Sequence, residues 1–141
     1  MSTAPGLGPL GEAVARVGDR WSLLVVAALL DGPLRFKELL AAVGGIAPNV
    51  LSQRLRQLEQ AGVVVAEPYS TRPPRHLYEL TQAGADLAGA VAQLAAWGAA
   101  VSGRADVPRH DVCGTPLEAR PWGPTCGVAV EADERDEVDL V

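Results

Sequence analysis

Between Ile46 and Leu80 the chain reads IAPNVLSQRLRQLEQAGVVVAEPYSTRPPRHLYEL, and this stretch most limits what the whole can fold into. Pro48 suits the first position of a helix, where its missing N–H is no loss. At about 100° per residue, Leu51, Leu55 and Leu58 form one narrow apolar stripe. Asn49, Gln53, Arg56 and Gln60 lie opposite, with Ser52 and Gln57 on the shoulders and Glu59 towards the side of the stripe. Solvated helix faces usually mix both charge signs, whereas this one offers amides, a hydroxyl and guanidinium, the donors and acceptors that suit base edges and phosphates. Gly62 ends the helix and Val63-Val64-Val65 has strand character. Pro68 to Arg75 is expected to form a turn without regular pairing, and Leu77 to Leu80 a return strand. Helix, strand, basic loop, strand is the order of a winged helix-turn-helix.

The flanking chain fits around that unit. Residues 1–8 are expected to be a flexible N-terminus. A short helix runs from Leu10 to Val17, and a second opens at Asp19 or Arg20 and reaches Leu30, where Asp31-Gly32-Pro33 stops it. Trp21, Leu24, Val25, Ala28 and Leu29 supply its broad apolar face. Leu34 to Phe36 is a short extended piece, followed by a helix from Lys37 to Val43 with Leu39, Leu40 and Val43 inward. Gly44-Gly45 makes the tight turn into the helix at 48–61. Ala47 precedes that helix where Ser, Thr, Asp or Asn would cap it, so its start lacks a side-chain cap. Beyond the wing, Thr81 is a plausible N-cap for a long helix from Gln82 to about Val101. Leu87, Val91, Leu94 and Val101 recur on one of its faces, and small residues crowd the rest. A long apolar helix beyond a small core reads as a dimer seam.

Charge distribution decides whether nucleic acid is an admissible partner. The net charge is −5, but residues 104–141 hold nine carboxylates against four arginines, and residues 1–103 hold eight of each sign. Within 34–80 there are six cations against four acids, so the acidity belongs to the tail. The longest apolar run, Leu23 to Leu30, is far short of the roughly 20 residues that cross a bilayer. No basic and apolar leader precedes the first helix, and two cysteines do not make a disulfide framework. A cytoplasmic protein with no membrane partner is the expectation. No nucleophile–base pair, phosphate-cradling glycine loop or paired-carboxylate site is visible, so an enzyme is not expected.

GDRWSLLVVAALLDGPLRFKEL, GIAPNVLSQRLRQLEQAGVV, PPRHLYELTQAGADL and LAAWG, taken together in this order, resemble the HxlR family of bacterial winged-helix regulators. The likeness spans roughly Leu10 to Gly98. It implies a mainly α fold with a small β-wing, and a homodimer through the first and last helices, including Leu10 and Val14. That dimer would bind double-stranded DNA at a pseudo-palindromic operator, with the helix at 48–61 in the major groove and the wing at 69–76 on the flank. Many members carry a Cys-Pro pair before the first helix, where some sense oxidants. Here the pair is Gly8-Pro9, so that chemistry is absent at this position. Members often have Ser where Ala47 stands, which bears on a cap and a phosphate contact.

The domain expectation is a winged helix-turn-helix and dimerisation unit over 9–103, followed by a tail over 104–141. Candidate DNA contacts are Asn49, Ser52, Gln53, Arg54, Arg56 and Gln57 on the helix, with Arg72, Arg75 and His76 on the wing. Arg54 has an alternative, pairing with a neighbouring Glu. Trp21 and Trp97 are expected in core or dimer packing. Several actinobacterial relatives have a tail knuckle resembling H-x-x-C…C-x-x-C. Here His110, Cys113 and Cys126 remain but Gly123 replaces the other cysteine, so zinc would have three protein ligands where closed sites prefer four. An oxidisable pair or two inert thiols are the alternatives for the cysteines. The acidic end, Glu131 to Asp139, is either a solvated terminus or a competitor of DNA for the wing arginines. A small-molecule effector could fit between the core and the long helix, with no cluster of polar residues marking a site. A winged-helix protein-interaction module that has lost DNA binding is the contrasting function.

Overall fold

The computed structural model of the chain describes residues 6–104 together with Val112, Cys113 and Thr115. The elements run α1 (Gly8–Val17), α2 (Ser22–Leu29), β1 (Leu34–Arg35), α3 (Phe36–Val43), α4 (Pro48–Gln60), β2 (Val64–Thr71), β3 (Pro74–Leu80), α5 (Gln82–Ala85) and α6 (Ala88–Ser102). The three strands form one antiparallel sheet in the order β1-β3-β2. This is a mainly helical fold with a small β-wing, as expected. Among the described residues, those up to Ala88 form one compact unit and those from Gly89 another.

The core of the first unit forms where the apolar stripes meet. Val25, Val26 and Leu29 of α2, Leu39 of α3 and Leu51, Leu55 and Leu58 of α4 are all buried, as are Val63 and Val64 where β2 begins. Each such leucine removed from water contributes roughly 1.5–3 kcal/mol. The stripe on α4 is the one its periodicity predicts. On α2 the expectation needs correction: Leu24 is 47% exposed while Val26 is fully buried. SLLVVAAL is apolar on every side, so its own sequence carries no stripe to read.

Local chemistry explains the joints. Asp19 braces the turn before α2: Oδ2 accepts from the Trp21 and Ser22 amides at 3.0 and 3.1 Å, and Oδ1 accepts from the Ser22 hydroxyl. The helix begins at Ser22, slightly later than expected. Gly44 and Gly45, at φ 62° and 78°, turn α3 into α4 in the left-handed region that glycine tolerates. Ala47 provides no side-chain cap, as its identity predicts, and Pro48 opens α4.

Two expectations fail. The segment Pro68–Arg75 is not an unpaired loop, because β2 and β3 pair from Val64↔Leu80 out to Thr71↔Pro74 and leave Arg72-Pro73, a cis peptide, at the tip. The prolines are compatible with this because β2 is an edge strand and Pro74 is the first residue of β3. The long helix from Gln82 is also interrupted. Thr81 Oγ1 accepts from the Gly84 amide at 3.2 Å and donates to the Gly62 carbonyl, so α5 starts where predicted. At Leu87, however, the amide turns to the Gly84 carbonyl at 3.1 Å, three residues back, and the helix resumes as α6. Gly84 is buried at this joint, where an added Cβ would press on the Val63 carbonyl oxygen.

Candidate nucleic-acid interface

The surface of α4 is built by its own amphipathicity. With Leu51, Leu55 and Leu58 in the core, Asn49, Gln53, Arg56, Gln57 and Gln60 are all exposed, and Ser52 is half-buried on the shoulder. No acidic residue lies in the first turn of the helix. Glu59, the lone carboxylate of α4, stands towards the sheet. Partial burial pushes the Tyr78 hydroxyl upward, and the charge of Glu59 adds to that shift.

Arg54 differs from its neighbours. Its Nε lies 3.4 Å from Asp19 Oδ2, close enough for an ion pair but without hydrogen-bond alignment. Its Nη1 donates to Gln57 Oε1 at 2.6 Å. Arg54 is thus engaged within the chain, and its acidic partner is Asp19 and not the neighbouring Glu that stood as the alternative to a phosphate contact. Partial burial works against ionisation of Asp19. Hydrogen bonds from the Ser22 hydroxyl and the Trp21 and Ser22 amides, with Arg54 nearby, outweigh it and hold the carboxyl below the usual range.

The wing carries Arg72, Arg75 and His76, all exposed. Register in the hairpin passes from Pro68↔His76 to Ser70↔Arg75, leaving Tyr69 as an extra residue in a bulge. Bulges re-aim side chains, and here the Tyr69 ring lies 5.1 Å from the Arg35 guanidinium carbon. β1 pairs with β3 through Leu34↔Tyr78 and Arg35↔Leu77, which brings the start of α3 beside the wing. A groove of about 500 Å³ results, lined by Arg35 and Lys37 on one side and Arg75, His76 and Tyr69 on the other. Sequence reading counted Arg35 and Lys37 among the cations but did not place them here. Their only signal was the excess positive charge of residues 34–80.

Among the candidate dimer residues, Leu10 and Val14 are 57% and 56% exposed on α1, and Leu94 and Val101 are 51% and 64% exposed on α6. Leu87 and Val91 are half-buried. Trp97 is 66% exposed, so it is not a core residue of the single chain, whereas Trp21 is half-buried with the Arg20 guanidinium 4.4 Å above its ring. Of the tail residues considered for zinc, His110 and Cys126 lie outside the described residues, as do Gly123 and the acidic end. Cys113 is exposed, with Sγ 2.9 Å from Thr115 Oγ1. The described residues contain no group of three or more His, Cys, Asp or Glu side chains that could hold a metal ion. No helix among them is long and apolar enough to cross a membrane.

A recessed leucine stripe, an outward face of amides and guanidinium, and a basic two-stranded wing define a winged helix-turn-helix DNA-binding transcription regulator. The chain belongs to the HxlR-like helix-turn-helix family, whose model matches residues 16–106. It is 38% identical over 127 residues to Rv3095 of Mycobacterium tuberculosis, an uncharacterized HTH-type transcriptional regulator, covering 87% of this chain and 80% of that one. It is 34% identical over 86 residues to the HTH-type transcriptional regulator YodB of Bacillus subtilis, covering 61% and 77%. Among solved structures, the redox regulator HypR in its reduced form matches with a TM-score of 0.63 and 30% identity, over 67% of this chain and 94% of that one. Reduced YodB matches with a TM-score of 0.56 over 64% and 90%.

Proposed function

We propose that the chain acts as a homodimer on a pseudo-palindromic operator, with α4 in the major groove and the wing on the flanking backbone. The observation that carries this reading is the outward face of α4, where Asn49, Gln53, Arg56 and Gln57 are exposed and no carboxylate interrupts them. Arg56, as an arginine, can pair bidentately with guanine O6 and N7, and Gln53 or Asn49 suits adenine. Arg72, Arg75 and His76 meet phosphate. Ser52 lies at the edge of the contact, and Arg54 supports α4 through Asp19.

The dimer reading rests on exposed apolar side chains at two places, each considered alone. At α1, Leu7 just before the helix and Leu10, Val14 and Ala15 on it line a shallow apolar groove of about 340 Å³. On α6, Leu94, Trp97 and Val101 are exposed. Apolar surface of this kind marks an association site, and a two-fold pairing would give two copies of α4 to two half-sites. The chain could repress by occluding polymerase or activate by placement. Redox sensing, the property named for HypR, would need a device other than a cysteine before Pro9, since residue 8 is Gly8.

Sequencing genomic fragments retained by the purified protein tests the operator proposal. The expected result is one enriched motif with two inverted halves about one helical turn apart. Fragments retained without a shared motif would contradict it and favour the protein-interaction alternative.

A further inference from the structure

We propose that the groove between the start of α3 and the wing is a further DNA contact that grips the phosphodiester backbone through Arg35, Lys37 and Arg75. This rests on the DNA-binding geometry proposed above and extends it to residues of β1 and α3.

Three permanent cations converge on the groove from three elements, against one carboxylate, Glu38. That carboxylate is already engaged, since Glu38 Oε1 accepts the Arg35 amide at 3.0 Å. Arg35 is the N-cap residue of α3 and Lys37 lies in its first turn. Cations there oppose the positive end of the helix dipole, so neither contributes to the helix through that interaction. A placement that local stability disfavours points to a role in contact with an anion. The Tyr69 ring, supplied by the bulge, lies 5.1 Å from the Arg35 guanidinium carbon and limits where that side chain can go.

The shape selects among anions. Arg35, Lys37, Arg75 and His76 are all exposed, so the groove presents its cations to solvent. An enclosed site for a small anionic effector would bury its polar groups, whereas a polymer of phosphates needs an open track of cations. Arg75 belongs both to this groove and to the wing, so the backbone that passes the wing would continue into the groove.

The test is a set of salt titrations of Arg35→Gln, Lys37→Gln and Arg56→Ala on the recovered operator and on an unrelated duplex of equal length. Each groove variant should lower the slope of log K against log salt by about one, equally on both duplexes. Both should retain or slightly raise the wild-type melting temperature, since a cation leaves a helix N-terminus. If Arg56→Ala weakens operator binding while the groove variants keep the wild-type slope, the groove contact is wrong and the operator reading stands. If the wild-type chain binds no duplex, both are wrong. If the variants lose stabilisation by inorganic phosphate in thermal melts but keep the DNA slope, the groove is a small-anion site and the backbone contact is overturned.

Discussion

Arg54 Nε lies 3.4 Å from Asp19 Oδ2, so α4, the helix proposed to read DNA, is tied to the turn that starts α2. The same carboxylate holds the turn before α2 through the Trp21 and Ser22 amides. One side chain thus braces both the turn into a core helix and the reading helix. Because α1 ends at Val17 just before that turn, the joint also lies next to one of the proposed dimer surfaces.

Replacing Asp19 by Ala should cost about 1.5–3 kcal/mol through loss of its charge-assisted hydrogen bonds from the Trp21 and Ser22 amides, measured by urea denaturation at pH 7. The pH dependence follows from the lowered carboxyl. A depressed folded value means that the contribution is complete above the unfolded carboxylate value, about 3.9, and fades as pH falls through the lower folded value. The stability gap between wild type and Asp19→Asn should therefore narrow below about pH 4. A gap unchanged down to pH 2.5 would contradict the role given to the ionised carboxylate.

Leu55→Ala should destabilise the chain by about 2–5 kcal/mol, because Leu55 is 1% exposed and its removal leaves a cavity between α4 and the core. A thermal denaturation series that includes Gln53→Ala makes the contrast. Gln53 is exposed and should shift stability by less than about 0.5 kcal/mol.

How much of this was legible in the sequence differs between elements. The α4 stripe was readable because leucines at helical spacing alternate with polar residues. The pattern on α2 was not, because apolar residues surround that helix and burial is decided by its neighbours. The wing's pairing was hidden by Pro68, Pro73 and Pro74, which argue against a strand unless the edge position of β2 is known. The break at Leu87 has no Pro, and Gly84 beside it reads in sequence as one more small residue of a helix rich in them. Asp19–Arg54 and Arg35–Tyr69 each join residues far apart in sequence, and pairing of β1 with β3 is what brings the second pair into one groove.

The wing should act through charge rather than base identity. Arg72→Ala and Arg75→Ala should each reduce the salt slope of binding by about one, with little change in preference between operator and unrelated duplex. Titration at several salt concentrations checks this, and an unmoved slope would count against wing contact.

Self-association should depend on the exposed apolar faces of α1 and α6. Sedimentation velocity is expected to show a dimer for the wild-type chain and monomers for Val14→Glu or Leu94→Glu, since each charge would be buried without a partner. A wild-type monomer at tens of micromolar would remove the two-half-site geometry.

The most direct measurement of the central claim is equilibrium binding, by fluorescence anisotropy at one fixed salt concentration, of wild type and Arg56→Ala to the recovered operator and to a scrambled duplex. Arg56→Ala should lose about 1–3 kcal/mol on the operator and much less on the scrambled duplex, because Arg56 reads a base edge from the exposed face of α4. Equal operator affinity for both proteins would contradict the assignment of α4 as the reading helix.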